Sequence, residues 1–297
     1  MKIEAEDSLN TASKFKRKNN DSKRSRIKLN TGVPLIFWII AILVLIYLMI
    51  PVIIVVLTSL NSGTYLTFPP KGLSLRWIKY FFTAADFLPA YLLSLKLALI
   101  TSLFSTLLGT LASIGLVRSN FKGVRLLQSL FLSPLILPGL VISMSLLIYY
   151  YSLQPMGILL VQTFTGILLA HIIITMPYVI RTVSSALTNF DISQEEAARN
   201  LGASPLKAFL KITLPQISSG ISAGFLFALI VSFGAFDASI FLATPGTTPL
   251  PITIFTYTRW KFDPTPSAAG TFAILLVIVS MIITSKLTKL DRVVGFD

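Results

Sequence analysis

The chain contains six predominantly apolar stretches, roughly residues 34–60, 88–117, 126–150, 157–180, 217–242 and 267–287. Each is long enough to cross the hydrocarbon core of a bilayer, which takes about 20 helical residues. Lipid offers the backbone no hydrogen-bond partner, so a spanning segment must be a helix or part of a closed barrel. None of the six shows the alternating pattern of a barrel strand. The expected fold is all-α and integral to the membrane, with six transmembrane helices. Composition agrees. Charged residues make up 12% of the 297 residues, half of the roughly 25% of a soluble protein. Cysteine is absent and His171 is the single histidine. Thiol catalysis, disulfides, iron–sulfur clusters and clustered Cys/His metal sites are thereby excluded.

The net charge of +13 is distributed as a topology signal and not as a nucleic-acid surface. Residues 1–32 carry nine Lys/Arg against four acids and read as a disordered basic cytoplasmic tail, with contact to anionic membrane lipid as a second role. Residues 33–297 form the transmembrane domain. With six spans both termini share one side. If that side is cytoplasmic, nineteen Lys/Arg fall in cytoplasmic segments and five in external ones, which the positive-inside rule favours decisively. Trp38, Trp77 and Trp260 are expected as interfacial anchors. The external loop 61–87 is expected to hold an interfacial helix, and the proline-rich loop 243–266 to be extended and rigid in places.

The cytoplasmic loop 181–216 has internal design. Ser193 and Glu196 have the spacing of a capping box, which predicts a helix from about Gln194 through Arg199. Gly202 suits the left-handed position that ends it. Ser204 then caps a second short helix with Pro205 at its first position, and Leu214-Pro215 leads into span five. The pattern is a helix, a glycine turn and a helix.

Glu196-Ala197-Ala198, three residues, Gly202, nine residues, then Ile212-Thr213-Leu214-Pro215 resembles the EAA signature of permease subunits in binding-protein-dependent ABC importers. Gly109-Thr110-Leu111-Ala112, Ser133-Pro134, Leu137-Pro138-Gly139, Ser232-Phe233, Thr244-Pro245-Gly246 and Leu250-Pro251 extend the resemblance over residues 33–290, nearest to spermidine/putrescine-type systems. It implies the MetI-like type I importer fold in a bacterial cytoplasmic membrane. It also implies a second permease subunit, two ATPase subunits that bind ATP and magnesium, and an external solute-binding protein. The loop would be the coupling element that docks on the ATPase, through Glu195, Glu196, Ala197, Ala198, Arg199, Gly202, Ala203, Ser204, Pro205, Leu214 and Pro215. This chain is expected to hold no cofactor: no glycine is followed by lysine, so the P-loop is missing. It is a transport subunit and not itself an enzyme.

Ionisable residues inside a span cost roughly 2.5–3.5 kcal/mol at mid-membrane, and Lys96 and Asp237 are placed there. A carboxylate near the outer end of span five suits an amine, and a polyamine-like solute is the leading reading. Members of the spermidine/putrescine branch carry acids directly after Ser-Phe. Here the acid comes three residues later, a displacement that a continuous helix would bring back to the same face. Lys96 either snorkels or favours a zwitterionic or anionic solute. Phe233, Phe236, Tyr257 and Trp260 are candidate pathway walls. Pro138, Gly139 and Ser143 mark a broken third span facing the pathway. Gly220 and Gly224 form a packing face. An ion-coupled secondary transporter and a membrane scaffold are the competing classes, and the signature loop argues against both.

Overall fold

The computed structural model describes residues 35–294, with side chains to residue 286; the basic tail lies outside the described residues. The described residues are helical, apart from loops and one isolated bridge between Asn61 and Leu73. In chain order the helices are α1 (Leu35–Ser59), α2 (Arg76–Thr83), α3 (Phe87–Arg118), α4 (Val124–Leu132), α5 (Gly139–Leu153), α6 (Phe164–Thr188), α7 (Ser193–Asn200), α8 (Pro205–Ala208), α9 (Leu214–Phe233), α10 (Phe236–Ser239), α11 (Leu250–Thr258) and α12 (Thr265–Val294). The chain divides into two units between Ile50 and Pro51, within α1.

Among the described residues five helices are long and apolar enough to span a membrane: α1, α3, α6, α8 running into α9, and α12. The stretch expected as the third span is a bent pair, which makes a sixth crossing where its two helices count as one span. α4 ends in a 3-10 turn, Ser133–Leu135, and α5 departs at 104° after Pro138. The expected break in the third span is therefore present. Backbone carbonyls on both sides of the break are partnered: the Ser133 carbonyl accepts from Ile136 at 3.0 Å, and the Pro138 carbonyl from Val141 at 3.0 Å and Ile142 at 3.2 Å, as a backbone in lipid requires.

The centre of the second unit is α3 packed on α6 and α9. It rests on small side chains. Ser94, Ala98, Thr101, Ser105, Gly109 and Ser113 recur along one buried face of α3, so neighbouring backbones approach closely. A Cβ on Gly109 would lie 2.8 Å from the Val179 Cβ, and one on Gly220 2.6 Å from the Ala186 Cβ. The Gly220/Gly224 face is thus a contact with α6. Hydroxyls stitch the same interface: Ser105 and Thr175 meet at 2.7 Å, and Ser113 donates to the Ile180 carbonyl at 3.2 Å.

Several sequence expectations need correction. The fourth span begins at Phe164, not near 157. Gly157 turns at φ +80°, and Thr163 caps the helix by accepting from the Gly166 N–H at 3.1 Å. The fifth span ends at Phe233, nine residues early, because the chain bends at Gly234-Ala235. The loop helix α2 turns its apolar face to protein, not to the interface: Trp77 and Phe81 are buried, Phe81 stacks on Phe272 at 4.7 Å, and the Trp77 indole donates to the Gly63 carbonyl at 3.1 Å. Trp77 is therefore a core residue. The proline-rich loop, expected to be extended in places, also holds a helix, Leu250–Thr258. Pro249 precedes α11, and the Leu250 N–H is satisfied by Ser94 Oγ at 2.7 Å.

Candidate functional site

The signature loop folds into the expected pair of short helices, with different capping at its start. Ser193 is the first residue of α7 and makes no side-chain cap. Asp191 takes that role, accepting from the Ser193 N–H at 3.0 Å, and these bonds to Ser193 hold the Asp191 carboxyl below its ordinary pKa. The capping box with Glu196 does not form, and Glu196 is exposed. The C-terminal end is as expected. Gly202 adopts φ +91°, its N–H donates to the Arg199 carbonyl at 2.9 Å, and the Ala203 N–H donates to the Ala198 carbonyl at 3.0 Å. This is a Schellman ending, which needs a residue tolerant of positive φ. Ser204 Oγ accepts from the Lys207 N–H at 3.4 Å, with Pro205 opening α8.

The residue that fixes this loop to the membrane helices is Glu195. It is buried, and its carboxylate takes two bonds from Arg118, 3.2 Å from Nη1 and 2.6 Å from Nη2. Thr213 donates its hydroxyl to the same carboxylate. Arg118 ends α3, and Thr213 closes a π-helical turn, Phe209–Thr213, that joins α8 to α9. One carboxylate therefore ties α3, α7 and the root of α9. The Arg118 hydrogen bond is the main cause that holds the Glu195 carboxyl below its usual range, against the opposing effect of burial. Sequence reasoning placed Glu195 in the loop but missed Arg118 and Thr213. Arg118 reads as one more topology charge, and Thr213 as a variable position inside the signature. Around this joint the loop exposes Ile192, Leu201, Leu206 and Leu210 beside the charged Glu196, Arg199 and Lys207.

The second candidate region surrounds the two helix breaks. Asp237 lies on α10, a one-turn helix after the bend, and not within span five. The helical i, i+3 argument from Gly234 therefore fails. The bend instead sets Asp237 against the start of α5: a Cβ on Gly139 would come 2.7 Å from the Asp237 Cβ and 3.2 Å from its Oδ2. Gly139 has no room for a side chain because Asp237 occupies it. The carboxylate sits at the positive end of the α5 dipole. Phe236 packs edge-on to Phe255 at 4.9 Å, whose ring also carries Arg259 at 4.7 Å.

The other pathway candidates are not brought together here. Phe233 is buried in the core, 5.5 Å from the Tyr91 ring. Ser143 is buried and bonds the Leu140 carbonyl at 3.1 Å within its own helix. Lys96 is exposed, its ammonium 5.1 Å from the Phe164 ring centre. Tyr257 donates to Asp263 at 2.7 Å and packs on Phe87 at 4.9 Å. Tyr257 and the exposed Trp260 line a cavity of about 790 Å³ with Tyr80, Asp86, Thr256 and Lys261.

Residues 105–289 match the family model described as "binding-protein-dependent transport system inner membrane component". The spermidine/putrescine transport system permease protein PotC of Escherichia coli (strain K12) is 31% identical over 249 residues, covering 84% of this chain and 92% of the relative. The putrescine transport system permease protein PotI of the same strain is 34% identical over 238 residues, covering 79% and 84%. A crystal structure of a bacterial alginate ABC transporter, in complex with an alginate pentasaccharide-bound periplasmic protein, contains a chain of the same fold. Its TM-score is 0.64 at 19% identity, with 91% of this chain and 98% of that one covered. The chain therefore belongs to the family of binding-protein-dependent transport system inner membrane components, the MetI-like permease subunits of ABC importers.

Proposed function

We propose that this permease imports an amine-bearing organic solute of the polyamine class. It works with a second permease subunit, two ATPase subunits that hold ATP and magnesium, and an external binding protein that delivers the solute. Both termini and the signature loop lie in the cytoplasm, as the charge bias requires. The loop docks on the ATPase through its exposed face, and movement there alternates access at the helix breaks. The observation that carries the amine reading is the placement of Asp237. It is a carboxylate at the meeting of two broken helices, where irregular backbone is tolerated beside a water-filled path. PotC and PotI, named for spermidine and putrescine transport, support the same class.

The test is Asp237→Asn in the complete importer, with uptake of labelled putrescine and spermidine measured in proteoliposomes. Loss of a charge-assisted hydrogen bond is expected to lower uptake roughly tenfold or more. ATP hydrolysis should remain, because the signature loop is unchanged. Full uptake in Asp237→Asn would take the carboxylate out of the pathway.

A further inference from the structure

α9 ends at Phe233 and α10 begins at Phe236. A four-residue helix has no stability of its own, because nucleating a turn costs more than one turn returns. Tertiary contacts must hold α10 in place. His171, on α6 and 1% exposed, reaches both sides of the bend. Its Nδ1 lies 2.8 Å from Ser232 Oγ on α9, and its Nε2 lies 2.9 Å from Ser239 Oγ on α10.

The hydroxyls assign the protons. Ser239 donates to the Ala235 carbonyl at 2.8 Å, so its oxygen is free to accept from Nε2–H. Nδ1 then accepts from the Ser232 hydroxyl. The arrangement is a neutral imidazole with each nitrogen used once, one as donor and one as acceptor. The same turn of α6 is braced from behind: Thr175 donates to the His171 carbonyl at 2.7 Å and meets Ser105 of α3 at 2.7 Å. The ring is thus anchored on the rigid centre and joined to two segments that have no helical continuity between them.

We infer that His171 is a positioning residue that clamps the α9–α10 bend and thereby holds Asp237 against Gly139. Ser239 is two residues from Asp237 on the same turn, so a loss at Ser239 frees the carboxylate as well. The importance of the clamp for uptake rests on the reading of Asp237 as a pathway residue. Its importance for the position of α10 does not.

The chain has no cysteine, so Ala238→Cys gives a unique thiol on α10 at a buried position. The experiment uses the complete importer in nanodiscs and follows the rate of reaction of that thiol with a charged methanethiosulfonate. His171→Leu is expected to raise the rate about tenfold, the order of one lost buried hydrogen bond. His171→Gln, which keeps a donor and an acceptor on one side chain, is expected to restore most of the protection. Replacing His171 and Ser239 together should add little to either alone, since both remove the same link. An unchanged rate in assembled His171→Leu overturns the clamp. If His171→Leu does not assemble, Ser239→Ala gives the same reading, and an unchanged rate there overturns it. A raised rate with undiminished putrescine uptake leaves the clamp standing and removes Asp237 from the pathway.

Discussion

Glu195 and Glu196 are adjacent and have opposite surroundings. Glu195 is buried under a bidentate guanidinium, and Glu196 faces solvent. Substitution should separate them. Glu195→Gln leaves Arg118 without its counter-charge and is expected to cost about 1–3 kcal/mol, seen as a lower unfolding temperature in detergent. Glu196→Lys is expected to stay within about 0.5 kcal/mol and to act, if at all, on ATPase coupling. The pH dependence follows from the depressed Glu195 carboxyl. Its contribution to stability is complete above the unfolded-state value of about 4.3 and is lost as pH falls through the lower folded-state value. The gap in unfolding temperature between wild type and Glu195→Gln should hold from pH 7 to pH 5 and close only below pH 4. At this scale the sequence was a partial guide. The signature contains Glu196, and Glu195 is its neighbour in the same loop, but a carboxylate 77 positions from its arginine leaves no periodic trace.

Helices were legible where a single physical signal governs them. Apolar length placed five spans, and left-handed geometry at Gly202 ended α7 where glycine chemistry says it must. Capping at the other end of α7 was misjudged because two acceptors compete for one N–H: Asp191, two residues upstream, takes the Ser193 amide that the capping-box spacing needs. Gly234-Ala235 was missed as a bend for a different reason. Gly234 is a poor helix former, but the continuity of apolar residues through Leu242 conceals the change of direction there, whose two sides both bond His171. The Gly202 ending gives a graded prediction. Gly202→Ala meets open space and is charged only for the backbone conformation, about 1–2 kcal/mol. Gly202→Pro also loses the N–H bond to Arg199 and cannot reach φ +91°. Solute uptake should survive in the first variant and fall below detection in the second, with membrane insertion intact in both. Equal uptake in the two would remove the glycine turn from the coupling role.

For the molecule as a whole, the proposed function gives the chain a membrane path and a docking loop, and its sequence lacks the phosphate cradle of an ATPase. Phosphate release by the purified chain should therefore equal the background, and appear only when the separate ATPase subunits are added. Release that persists after removal of contaminating ATPases would contradict this. The link between the two ends of the molecule is physical: residues Pro205–Phe233 form one helical run from the signature loop to the α10 bend. At 1.5 Å per residue such a run is about 43 Å long. Pivoted at Thr213, the part that reaches Phe233 is about 30 Å long, and tilting it by about 5° displaces the far end by about 2.6 Å, close to the length of a hydrogen bond. Its near end is bolted through Thr213 to Glu195, and its far end meets Ser232 and the imidazole. A tilt too small to disturb the packing of the loop is thus large enough to part the bend from its anchor.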